Sequence, residues 1–133
     1  MRKMISLSIV LTLLLSIGCA TTGTMRNASL DEGIPRIFTA SFDRVLKAAR
    51  ESVTQSGLQV EEVNQIDNQT WIIIGKKDAS AWSWGELVRV TVQKKSESET
   101  LVRVFTKRKL ATNITAKGDY SQSILSNIDL NLR

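Results

Sequence analysis

Few residues in this chain of 133 could carry out chemistry, and histidine is absent altogether. Without an imidazole there is no Ser-His or Cys-His pair and no His-ligated metal, because neutral imidazole is the usual general base near neutral pH and the commonest nitrogen ligand. A reactive site would have to be assembled from carboxylates and lysines. Glu61, Glu62 and Asp67 are the nearest acidic grouping, but their spacing follows no hard-cation loop, and nothing in the carboxylate spacing predicts the convergent pair of a glycosidase. The expectation is a non-enzymatic protein with no catalytic residue, no metal and no cofactor. The single cysteine, Cys19, cannot form an internal disulfide. It lies directly behind an apolar run, where neither packing nor redox chemistry is its natural role.

That run opens with Arg2 and Lys3, continues from Met4 to Ile17, and ends at Gly18. A charged start, an apolar middle and a small-residue exit are the parts of a secretory signal. The apolar stretch is shorter than the roughly 20 residues that span a bilayer as a helix. The segment Leu15-Ser16-Ile17-Gly18-Cys19 resembles the lipobox of bacterial lipoproteins. The resemblance implies cleavage between Gly18 and Cys19 and attachment of palmitate-type acyl chains to Cys19, although Ser16 stands where Leu is usual. An ordinary cleaved signal with an accidental cysteine is the alternative. One acyl chain gives only marginal membrane binding, whereas two or more hold a protein stably. Ala20 rather than Asp follows the cysteine; under the enteric sorting rule this implies an outer-membrane location facing the periplasm. Loss of Arg2 and Lys3 with the leader lowers the formal charge of +5 by two units, a mild excess that does not argue for nucleic acid.

Residues 19–35 are rich in small and polar side chains without a sustained apolar period, and the expectation is an acylated cysteine followed by a flexible tether. As a coil, such a tether has an r.m.s. reach of about 20 Å. The domain is expected over 36–133. Phe42, Val45, Leu46, Ala49 and Val53 recur at helical spacing between Ser41 at the N-cap and Gly57 past the end, predicting a helix over 41–56. Leu58 to Val63 reads as a strand whose apolar positions slip near Glu61-Glu62, as at a β-bulge. Thr70 to Ile74 is a β-branched run with the character of a central strand. Residues 86–94 and 100–109 alternate clearly, and after Asp119 a stripe of Tyr120, Ile124, Leu125, Ile128 and Leu132 predicts a closing helix.

The fold class expected is therefore α+β: a two-layer sandwich in which a four-stranded antiparallel meander carries both helices on one face. A βαβ unit is disfavoured because no helix lies between two of the strands so read. With its lipobox, the helix opening Ser41-Phe-Asp-Arg-Val45, the strand entry Gly57-Leu-Gln-Val60 and the helix after Asp119, the chain resembles small, mostly uncharacterised bacterial envelope lipoproteins with an α-β-β-β-β-α domain. Similar modules occur in accessory lipoproteins of outer-membrane protein assembly, which implies an interaction role.

Two surfaces are candidates for that role. Trp82 and Trp84 share one connection, and spacing of two would put both indoles on one side of an extended segment; capping the end of the sheet is the plainer use. If the valines of 86–94 and 100–109 face the helices, then Leu87, Arg89, Thr91, Gln93, Leu101, Arg103, Phe105 and Lys107 share the opposite face, with Trp71 and Ile73 beside them. Such a face would be open, basic and apolar in patches, a candidate docking surface or simply a solvated one. Lys107-Arg108-Lys109 is short enough to be ordinary solvated charge, although it would also suit anionic headgroups. The expected function is a lipid-anchored envelope protein that binds another envelope protein. The alternative is a binder or sensor of an apolar or lipid-like ligand.

Overall fold

The computed structural model describes residues 20–79, 85–108 and 118–133. Its elements in chain order are α1 (Thr22–Asn27), β1 (Ile34–Phe38), α2 (Phe42–Gln55), β2 (Gln59–Gln65), β3 (Thr70–Lys77), β4 (Glu86–Lys94), β5 (Thr100–Arg108) and α3 (Ser121–Asn131). The class is α+β, as expected, but the sheet has five antiparallel strands in the order β1-β5-β4-β3-β2 rather than four.

The extra strand comes from residues read in sequence as tether and domain start. Ile34 to Phe38 pairs with β5, Ile34 opposite Val104 and Phe38 opposite Thr100. Pro35 is tolerated because β1 is an edge strand, where a missing N–H need not break a ladder on both sides. Only Phe38 of this strand is buried, so hydrophobic periodicity could not reveal it. The placement of β1 also alters the topology: α2 now connects strands at opposite edges of the sheet, a crossover that the four-strand reading had disfavoured.

Helix α2 buries Val45, Ala48, Ala49, Ser52 and Val53, one stripe at 3.6-residue spacing, against the sheet. Ser41 occupies the N-cap without a side-chain hydrogen bond. Gly57, at φ 79°, closes the helix, with its N–H donating to the Thr54 carbonyl at 2.9 Å and the Leu58 N–H to the Val53 carbonyl at 3.3 Å. Helix α3 buries Ile124, Leu125 and Ile128 beside it. Asp119 caps α3: its Oδ1 accepts from the Ser121 N–H at 2.9 Å, the Ser121 hydroxyl at 2.5 Å and the Thr106 hydroxyl at 3.2 Å.

The valines of β4 and β5 do face these helices: Val88, Val90, Val92, Val102 and Val104 join α2, α3 and Phe38 in one core. The register slip in β2 falls between Val60 and Glu62. Ile73 belongs to this helix-side core, and Trp71, two residues away on β3, borders a groove with it and with Leu46 of α2, so neither stands on the opposite face as the sequence reading had placed them. Ile72 and Ile74 take that face instead, in a second apolar cluster with Leu87, Met25 and Ala20, packed by Leu30 and Phe105. Helices therefore lie on both sides of the sheet: α2 and α3 on one, and α1 on the other.

Candidate functional site

The face of the sheet expected to be open is covered at its centre by the amino-terminal segment. Thr21 and Thr24 start α1 with a reciprocal capping box, the Thr24 N–H donating to the Thr21 hydroxyl at 3.2 Å and the Thr21 N–H to the Thr24 hydroxyl at 2.8 Å. A six-residue helix is too short to persist alone in water; its order comes from docking. Met25 enters the outer cluster with no exposed surface, and Ala20 is only 7% exposed. Full burial of a methionine side chain contributes about 2 kcal/mol.

Arg89 fastens this segment. Its side chain lies in the middle of β4 and is completely buried. Nη1 donates to the Met25 carbonyl at 2.9 Å and the Ala28 carbonyl at 2.6 Å, and Nη2 donates to the Ser29 carbonyl at 2.5 Å. The Met25 carbonyl in the last turn of α1 and that of its C-cap Ala28, where the helix dipole is negative, thus receive a cation, while the Ser29 carbonyl beyond the helix also accepts from the Glu32 N–H at 3.1 Å. The guanidinium carbon lies 5.7 Å from the centroid of the Phe105 ring, within cation–π range. Nε has no partner among the described residues. Burial works against the charge and lowers the Arg89 pKa, with Glu32 opposing the shift. No carboxylate forms an ion pair with Arg89 among the described residues; the backbone of α1 and the turn after it solvate the guanidinium. At the side of the segment, Arg26 makes a forked contact with Glu62 of β2, its Nη2 to Oε1 at 2.5 Å and its Nε to Oε2 at 3.1 Å. That contact, with desolvation working against it, holds the Glu62 carboxyl below its usual range.

Of the residues singled out from sequence, Arg89 is therefore unavailable to an outside partner. Arg103 and Phe105 are half-buried at the rim of the docked segment. Lys107 is exposed. Gly18, Cys19, Trp82, Trp84 and Lys109 lie outside the described residues, as does the Arg108 side chain. Glu61 pairs with Lys76 at 3.7 Å, Glu62 is held by Arg26, and Asp67 accepts from the Gln69 N–H at 2.7 Å in the β2–β3 turn. The three acids point to separate tasks, and among the described residues no group of acids converges on a cation site.

The docked segment was missed in sequence, although two signals were present. Thr21 and Thr24 have capping chemistry, and an arginine inside a run as apolar as Leu87-Val88-Arg89-Val90 needs a buried partner if both faces of the strand are covered. On the helix side, Leu46, Val63, Trp71 and Ile73 floor a surface groove of about 290 Å³ with Lys47 and Arg50 at its rim. A scan against protein-family models gave no match for the chain, and a search of curated proteins found none similar to it.

Proposed function

We propose that the chain is a lipid-anchored protein of the bacterial envelope. In this reading residues 1–18 are removed, Cys19 is acylated, and the remaining domain binds another envelope protein without performing catalysis. One observation carries the reading. It lies in the sequence: Leu15-Ser16-Ile17-Gly18-Cys19 resembles a lipobox and follows the charged start and apolar run of a secretory signal. An outer-membrane position facing the periplasm follows from Ala20 under the enteric sorting rule. The interior between helices and sheet is filled by side chains such as Val45, Val53, Ile73, Val90 and Ile124, all without exposed surface, which favours a rigid interaction module over a carrier with a roomy interior. Metabolic labelling with a fatty acid tests the anchor: the wild-type chain is expected to carry label and Cys19→Ala to carry none. Label on both, or on neither, would sink the reading.

The groove at Trp71 supports the second reading, an apolar or lipid-like ligand held outside the core with its anionic end near Lys47 and Arg50. A Trp82→Phe, Trp84→Phe chain leaves Trp71 as the only tryptophan. Under this reading a fatty acid added to that protein shifts its emission to the blue at saturable concentration; an unchanged spectrum rejects it.

A further inference from the structure

We propose that the cavity under the turn after α1 is a binding site for a small zwitterion with the charge pattern of a free α-amino acid. The inference goes beyond the anchor at Cys19 and does not depend on it. The cavity, of about 240 Å³, lies on the outer face of the sheet between β3, β4 and β5, with Leu30 and Asp31 bordering it from the amino-terminal segment. Strand register supplies its floor. Thr91 stands opposite Ile72, a member of the outer cluster, on one side and opposite Arg103 on the other; two residues along β4, Gln93 stands opposite Thr70 and Leu101. Alternation along the strands puts these on one face. The cover is fixed in turn by Arg89, which donates to the Ser29 carbonyl, and by Arg103, whose Nη1 donates to the Asp31 carbonyl at 3.5 Å.

Two side chains of the floor call for a ligand. Thr70 is 1% and Thr91 5% exposed, and the buried hydroxyl of each has no hydrogen-bond partner among the described residues. Native interiors pair nearly all such groups, so two orphans bordering one cavity imply partners supplied by its occupant. Water alone would serve a wholly polar site. This lining is mixed: Leu30 and Leu101 give it apolar walls, while Arg103 and Asp31 bring one charge of each sign. Neither charge is matched by an ion pair among the described residues. A guanidinium beside hydroxyls suits a carboxylate, and the Gln93 amide adds a donor and an acceptor. Asp31, exposed at the rim, suits an ammonium. The volume is several times water's share of about 30 Å³ and below the roughly 300 Å³ at which drug-sized pockets begin, which fits one molecule of amino-acid size.

The test titrates the full chain, expressed in bacteria and purified in mild detergent, with L-alanine, L-valine and L-leucine in a calorimeter. At least one is expected to bind one-to-one with a Kd below about 1 mM. Thr91→Val keeps the shape of the side chain and removes the orphan hydroxyl, so it should raise the urea midpoint of the unliganded protein and yet weaken binding about tenfold. Arg103→Gln should weaken it by a similar factor. For the amino acid that binds best, the carboxylic acid lacking the ammonium and the amine lacking the carboxylate should each bind about tenfold worse. No saturable heat with any of the three means a cavity that holds water only, and overturns the inference. Binding that Thr91→Val leaves unchanged overturns it too, because the ligand then sits elsewhere. An acid analogue that binds as tightly as the amino acid overturns the assignment of a zwitterion. Each readout is the same whether or not Cys19 carries an acyl chain, so failure of the anchor and failure of this site are told apart.

Discussion

Arg89 combines a full charge and complete burial with no ion pair among the described residues, and its replacement should be informative. In Arg89→Ala the Met25, Ala28 and Ser29 carbonyls lose the guanidinium, the last keeping only the Glu32 N–H, and the outer cluster gains a void. The expected loss is about 3 kcal/mol, measured as a lower midpoint in urea unfolding. Trypsin should also cut after Arg26 faster than in the wild type. Arg89→Met refills the volume but not the hydrogen bonds, so it should recover part of the stability while Arg26 stays vulnerable. Asp119 gives a pH-dependent counterpart. Partial burial works to raise its pKa, but the Ser121 hydroxyl, the Ser121 N–H and the Thr106 hydroxyl together hold it below the usual value. A depressed folded-state pKa means stability that is present above the ordinary aspartate range and lost as pH falls through the folded value. The stability gap between wild type and Asp119→Asn is therefore expected at neutral pH and should close as pH falls below about 4; a gap independent of pH would exclude this role. Tyr120, one residue on, is shifted upward by burial and by its hydrogen bond to Glu86, so it stays neutral across the same range.

At the scale of elements, α2 approaches β3 closely enough to exclude a side chain. A Cβ built on Gly75 would lie 2.7 Å from Val53 Cγ1. Gly75→Ala is expected to cost about 1–3 kcal/mol by overpacking, and Val53→Ala in the same chain should return part of it, a coupling that a double-mutant cycle of unfolding free energies would reveal. Long elements with a strong apolar period were legible in sequence: α2, α3, β4 and β5, along with the bulge that interrupts β2. Elements defined by their partners were not. Helix α1 buries one residue and β1 buries one, so each is specified by the surface it meets rather than by its own pattern. The run Ile72-Ile73-Ile74 is buried on both faces and carries no alternation, which is why Trp71 and Ile73 were assigned to the wrong side. The composition of the outer face could be read from β4 and β5, but not its cover, because strand alternation sorts residues between faces without saying what lies above them.

For the whole molecule, the amino-terminal segment acts as part of the fold. A chain beginning at Gly33 would leave Ile72, Ile74, Leu87 and Phe105 facing water. It is expected to bind a hydrophobic dye and self-associate, whereas a chain beginning at Ala20 should remain monomeric by light scattering. Equal behaviour of the two would mean that the segment covers nothing of consequence. The long reach of its contacts also sets an order of events. Met25 and the arginine that binds its carbonyl are 64 residues apart, and β1 finds its neighbour only in β5, after three intervening strands. While the chain is still emerging from the ribosome, its front has nothing to fold against until β4 and β5 exist. Under the export proposed above, a membrane-crossing apparatus that threads unfolded polypeptide would meet that front slack and unstructured, and the fold would close behind it only after most of the chain had followed.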